Sequence, residues 1–196
     1  MLIDLHCHTL PLSQCSSLVP EELVDLARER GLDGVVLTEH DSKWDEATLA
    51  EVRKRTKFLL LAGVELTTDR GHVLAYGLRP GQRSLATLAE AREAASADGA
   101  LLYLAHPARD GLLRMDHEIV TSVVSVEAVN GSDTRLQNVA TRGLAHGFPL
   151  PGIGGSDAHT LREVGRAATR FEARIENEGD LLAALRSGKY EAVMLD

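Results

Sequence analysis

MLIDLHCHT, residues 1–9, is a short apolar run that ends on two histidines two positions apart. On an extended strand the side-chain period is two, so His6 and His8 face the same side. Two neutral imidazoles fixed there make a rigid half of a metal site. An exposed edge strand would carry the same pair without function, so the weight falls on what the rest of the chain places beside it.

Outward from that strand, apolar runs alternate with amphipathic stretches. Strands are expected over 1–6, 34–40, 58–64, 72–76, 100–105, 123–129 and 151–155, and helices over 20–30, 45–57, 84–98, 135–146 and 178–187. Pro20 suits a first helical position, Glu21 and Glu22 suit its positive end, and Gly31 suits its stop. The alternation predicts an α/β protein with a mainly parallel sheet, open or closed into a barrel. The 196 residues show no internal repeat or Pro/Ser-rich linker and are read as one domain, 1–196.

Composition narrows the partners. With 21 Lys+Arg against 29 Asp+Glu the formal charge is -8, which argues against long nucleic acid and against an anionic membrane surface. No stretch approaches the ~18 uninterrupted apolar residues of a membrane span. Cys7 and Cys15 are expected to be reduced thiols of a cytoplasmic protein.

Six of the eight histidines fall at or just beyond the end of an expected strand or beside a turn: His6, His8, His40, His72, His106 and His159. In parallel α/β folds the carboxyl ends of the strands share one rim, so these side chains are expected to meet. Glu65, after the run 58–64, is the candidate bridge, because the two oxygens of a carboxylate can reach two cations and offset their repulsion. Asp157 and His159 repeat the two-residue spacing of His6 and His8. Each residue taken singly has a structural alternative: His40 as a helix cap, His106 satisfying a buried carbonyl, Asp157 as an N-cap before 160–164. Five separate strand ends carrying metal-capable side chains favour the metal reading.

The motifs DLHCHT (4–9), LTEHD (37–41), GVEL (63–66), GHVLAYG (71–77), AHPAR (105–109), VEAVNG (126–131) and GGSDAH (154–159) resemble, in order, those of the PHP family, named for its polymerase and histidinol-phosphatase members. The resemblance implies a distorted seven-stranded (β/α) barrel whose C-terminal rim holds two or three divalent ions (Zn, Mn, Fe or Mg) and hydrolyses phosphoesters through a metal-bridging hydroxide. It implies a first metal on His6, His8, Glu65 and Asp157, a second on Glu65, His72 and His106, and a third on His40 and His159. The family usually adds a His or Asp to the third metal from the loop after HxHT. Here that loop reads LPLSQCSSLVP, with Ser13, Gln14 and Cys15 at the corresponding stretch, so the centre is either binuclear or holds a third ion through two histidines with water and substrate.

The expected substrate is a phosphorylated small molecule, a nucleotide or a short oligonucleotide. Asp157, His159 and His40 are the expected catalytic groups, with His159 or His40 giving a proton to the leaving alkoxide where no metal occupies it. Arg109, after AHP, is the candidate phosphate clamp because its fork matches a phosphoryl group, or else a surface salt-bridge partner. Asp4, Asp41 and Glu127 are expected to orient ligands. Two alternatives are a metal-stabilised interaction module with weak or no catalysis, and an amidohydrolase-like hydrolase. The bridging lysine usual in the latter has no counterpart among Lys43, Lys54, Lys57 and Lys189.

Overall fold

The computed structural model describes residues 1–79, 85–109, 111 and 115–195. The expected helix 84–98 begins at a residue outside that set. Strand β1 (Leu2–Cys7) leads into helix α1 (Pro20–Glu29), β2 (Gly34–Leu37), α2 (Glu46–Thr56) and β3 (Leu59–Ala62). A hairpin of β4 (Val64–Thr68) and β5 (Gly71–Tyr76) follows, then α3 (Leu88–Asp98), β6 (Leu101–Leu104), α4 (His117–Ser122), β7 (Ser125–Asn130), α5 (Arg135–Ala145) and β8 (Ile153–Gly155). The chain then forms β9 (Ala167–Phe171), α6 (Glu178–Ser187) and β10 (Tyr190–Met194).

Helix ends follow local chemistry. Asp45 accepts from the Thr48 N–H to cap α2, Thr87 and Glu90 form a reciprocal capping box on α3, and Asn177 accepts from the Asp180 N–H at α6. Pro20 starts α1, whose Leu23, Val24 and Ala27 are buried. The apolar positions sort by parity in the strands: Val36 and Leu61 pack with Ile3, Leu5 and Tyr76 between the sheets, while Val35, Leu37 and Leu60 pack under Leu23, Val24 and Leu49 of the helices.

The strands form two five-stranded sheets, in the orders β10-β9-β1-β2-β3 and β4-β5-β6-β7-β8. This corrects the expected seven-stranded barrel: among the described residues no closed barrel forms. It also corrects the mainly parallel sheet. β1, β2 and β3 run parallel, as do β6, β7 and β8, but β4–β5, β5–β6, β1–β9 and β9–β10 are antiparallel. For β4 the reason lies at Gly63, where β3 ends and the chain passes at once into the β4–β5 hairpin without a crossover helix.

The sheets meet at two isolated parallel bridges, Cys7 with Ala158 and His40 with Glu65. At one seam His8 N–H donates to Ala158 O at 3.0 Å and Asp157 N–H to His6 O at 2.7 Å; at the other Glu65 N–H donates to Glu39 O at 3.0 Å and Asp41 N–H to Glu65 O at 2.9 Å. Gly155 makes the first seam feasible, since a Cβ there would lie 2.4 Å from the Cβ of His6. The segments that stitch the sheets therefore carry His6, His8, His40, Glu65 and Asp157.

Candidate metal centre

All eight expected ligands converge on these seams. Nε2 of His6 and Nε2 of His8 lie 3.0 Å apart, and each faces Glu65 Oε2, at 3.2 and 3.1 Å, and Asp157 Oδ1, at 3.4 and 3.3 Å. The second oxygen of Glu65 turns the other way, with Oε1 at 3.0 Å from both His72 Nδ1 and His106 Nε2. His40 Nδ1 approaches Oε2 at 3.2 Å. The rings of His40 and His159 each lie 4.4 Å from that of His8, centroid to centroid. His117 and His146, set aside in the sequence, sit at the start of α4 and the end of α5.

The donor set fits divalent ions. Four donors around an ion at about 2.0–2.1 Å stand about 3.3–3.4 Å apart when tetrahedral, close to the separations among His6, His8, Glu65 and Asp157. Lone-pair atoms crowded this closely repel one another unless a cation or a proton lies between them. Imidazole suits Zn, Cu, Fe and Ni, and carboxylate suits Mg, Ca and Mn. The thiol of Cys7 is turned away, donating to Asp4 Oδ2 at 3.2 Å beside Ser156 Oγ.

Electrostatics give the same picture. Burial opposes charge on His6, but Glu127, Asp157 and Glu65 outweigh it and hold its pKa well above the ordinary imidazole value. His8 is raised despite burial through its contacts with Asp157 and Glu65. Burial works against ionisation of Glu65 and Asp157 too, yet the histidines keep both carboxyls below their usual range. His40 is lowered, chiefly by burial, which favours its neutral form.

A second layer orients these donors. Glu127 Oε1 accepts from His6 Nδ1 at 2.9 Å, which leaves Nε2 as the ligand nitrogen. Its Oε2 accepts from the backbone N–H of His106 at 3.1 Å and from Asn130 Nδ2 at 3.0 Å. That contact holds His106 at φ +26°, and Asp157 stands at φ +55°; such conformations disfavour side-chain-bearing residues and cluster at functional sites. Asp4, buried and pushed up to about 6 by that burial, accepts from the N–H groups of His6 at 3.1 Å and Ser156 at 2.8 Å and so ties β1 to the loop bearing Asp157. Asp41 accepts from the Thr67 N–H at 2.8 Å and steadies β4 beyond Glu65.

Several contributors carry no spacing signal in the sequence. Ser13 Oγ lies 3.3 Å from His8 Nδ1 and accepts from the His40 N–H at 3.4 Å. Gln14 donates to Pro11 O at 2.6 Å, and Cys15 is exposed, so neither joins the histidine groups. Glu39 is buried and accepts from the Thr9 N–H at 2.9 Å, from the Thr9 hydroxyl and from Trp44 Nε1 at 2.8 Å, which locks the residues beside His8 and His40. Asn138 of α5 bonds both the N–H and the carbonyl of Asn130. Arg109 donates Nη1–H to Asp157 Oδ2, Nε–H to Asp133 and Nη2–H to Asn130, at 2.7, 2.7 and 2.9 Å.

The chain is thus a mixed α/β protein in which three groups of side chains, two of histidines with a carboxylate and one of histidines alone, could hold a metal ion. Residues 135–190 match a family model described as PHP-associated. The fold is similar to that of a two-domain protein from Bacteroides vulgatus containing a predicted PHP-like metal-dependent phosphoesterase, with TM-score 0.79 and 21% identity over 99% of this chain and 64% of that one. PsfC from Pseudomonas syringae matches with TM-score 0.75 and 22% identity over 98% of this chain and 91% of its own. An amidohydrolase from Chromobacterium violaceum, solved with sulfate and no metal, matches with TM-score 0.66 and 19% identity over 83% and 89%. The sequence match to the PHP-associated family model is confined to residues 135–190, and the likeness to the solved structures is one of fold. The chain spans 64% of the length of the Bacteroides protein. A search of curated protein sequences finds no significant match.

Proposed function

We propose that the protein is a metal-dependent phosphoesterase acting on a small phosphomonoester, a nucleotide or the end of a short oligonucleotide. Glu65 carries the reading: one buried carboxylate presents one oxygen to His6 and His8 and the other to His72 and His106. His6, His8, Asp157 and Glu65 would hold one ion and Glu65, His72 and His106 a second. Divalent ions supply there the neutralisation of phosphoryl oxygens, and the acidification of water toward pKa ~7, that a phosphoester otherwise lacks. The residues' own share is placement. Glu127 fixes which nitrogen of His6 is presented, and Asp4 holds the Asp157 loop against β1.

His40, His72 and His159 are about one-third exposed and line the open side of the cluster, where substrate would enter. Nδ1 of His159 donates to the Asp157 carbonyl at 3.0 Å, which leaves Nε2 to contact a third ion or the leaving group. The charge of -8 disfavours long nucleic acid. Among the described residues no helix is long and apolar enough to cross a membrane, and both cysteines are free, which suits a cytoplasmic setting.

The amidohydrolase neighbour favours a second reading, attack on a C–N bond. Lysine placement weighs against the form that uses a bridging lysine: Lys43 donates to Leu78 O and Glu178, and Lys54, Lys57 and Lys189 are exposed. The test is turnover of matched chromogenic phosphomonoester and phosphodiester substrates by metal-depleted protein refilled with Mn or Zn, with Asp157→Ala as the contamination control. Metal-dependent turnover absent from the variant supports the proposal, and the preferred ester assigns the subclass. Equal turnover by the variant, or none by the refilled protein, would leave the interaction-module or C–N reading in its place.

A further inference from the structure

Asp157 divides its oxygens between two neighbours. Oδ1 faces His6 and His8, and Oδ2 accepts from Arg109 at 2.7 Å. The guanidinium is anchored on its other two nitrogens by Asp133 and Asn130. Asn130 is fixed in turn, since its side-chain amide donates to Glu127 and Asn138 bonds its backbone on both sides. A planar fork seated on three acceptors has little freedom to swing toward a substrate. It also occupies the oxygen through which Asp157 could otherwise rotate or chelate.

We propose that Arg109 is a positioning residue: by holding Oδ2 on the Asn130–Asp133 frame, it keeps Asp157 Oδ1 aimed at the ion shared with His6 and His8, and it acts through Asp157 instead of gripping the substrate phosphate. The proposal rests on the metal reading above. It makes a prediction opposite in sign to simple electrostatics, because a guanidinium beside a bound cation repels it. Were charge its whole effect, removing it would tighten metal binding.

The test is Zn and Mn affinity, measured by competition with a chelator, in wild type, Arg109→Met, Arg109→Lys and Asp133→Asn, with kcat and KM on the chromogenic phosphoester alongside. Positioning predicts about 10–100-fold weaker binding of one ion in Arg109→Met, the usual consequence of losing a partner that orients a ligand. Arg109→Lys should recover part of this, since an ammonium can hold Oδ2 without the other two acceptors. Asp133→Asn, which leaves every candidate ligand in place, should weaken binding in the same direction by less, and it decides the matter if Arg109→Met does not fold. Unchanged or tighter metal binding in these variants, with or without a raised KM, would overturn the proposal while leaving the metal reading intact. Wild type that binds neither metal would overturn both.

Discussion

His6, His8 and Asp157 are sealed from solvent and held on each side by a neighbour, whereas His40 and His159 stand 33% and 28% exposed beside a loop of Ser13, Gln14 and Cys15. Behind the buried group lie Glu127, Asp4, Asn130 and Arg109, each bonded to a ligand or to the backbone that carries one. In the open group the imidazole of His159 meets the Asp157 carbonyl, and the other supporting contacts are to backbone, from Ser13 to the His40 N–H and from Glu163 to the His159 N–H. Buried donors fixed by further hydrogen bonds lose little freedom on taking up an ion, while half-exposed rings must be ordered by it. On the proposed reading the two sides would hold metal with unequal strength, and substrate would share the coordination on the open side.

The largest effect expected from this contrast is at Asp157. Asp157→Ala should reduce metal-dependent phosphoester turnover to background and lose bound metal while the far-UV CD spectrum is kept; turnover near wild type would erase the distinction between the two sides. Next, Glu65→Ala should lose more metal than His159→Ala, read by elemental analysis after desalting, because its two oxygens serve both groups. Equal metal content in the two variants would refute the bridge. Glu127→Gln comes third, with about 10–100-fold weaker metal affinity and an intact fold, since an amide NH2 would face the N–H of His106 and the amide of Asn130.

A smaller effect is set by protons. Metal needs the neutral imidazole of His6, whose pKa in the metal-free cluster is raised well above the ordinary value. Below that raised pKa the ring is an imidazolium that the ion must displace, so apparent affinity should climb as pH rises through it and uptake near pH 7 should release protons. Calorimetry in two buffers of different protonation enthalpy measures the release; identical heats would contradict the coupling. The smallest change is expected at the loop, where Cys15→Ser should leave the tightly held metal unaltered.

Much of the site was legible because metal chemistry restricts residue types and strand geometry restricts spacing. His6 and His8 are two apart on one strand, Asp157 and His159 two apart after another, and Glu65 follows an apolar run, so position alone brought them to one rim. The second layer was less legible. Ser13, Thr9, Asn130 and Asn138 are common polar residues whose roles arise from tertiary contacts, and Trp44 reaches Glu39 from beyond the strand. Arg109 stood out by its place after AHP, but its three acceptors come from separate segments of the chain.

The fold was legible in its alternation and not in its closure. α6 falls on its expected residues, and α1, α2 and α5 lie within one residue of theirs at each end. β4 was hidden because only Gly63 separates it from β3, so a single apolar run covers one strand and the start of the next. β9, with the sequence AATRF, and β10, with YEAVM, are short and mixed in pattern. Their antiparallel pairing beside β1 is what makes two five-stranded sheets in place of a ring.

Elemental analysis of wild type and Glu65→Ala, each reloaded with Zn or Mn and desalted, reads out the Glu65 bridge itself. A bridging Glu65 predicts about two tightly held ions per wild-type chain, as a two-metal hydrolase needs, and loss of most of both in the variant. Wild type that retains no ion, or a variant that retains as much as wild type, would contradict it.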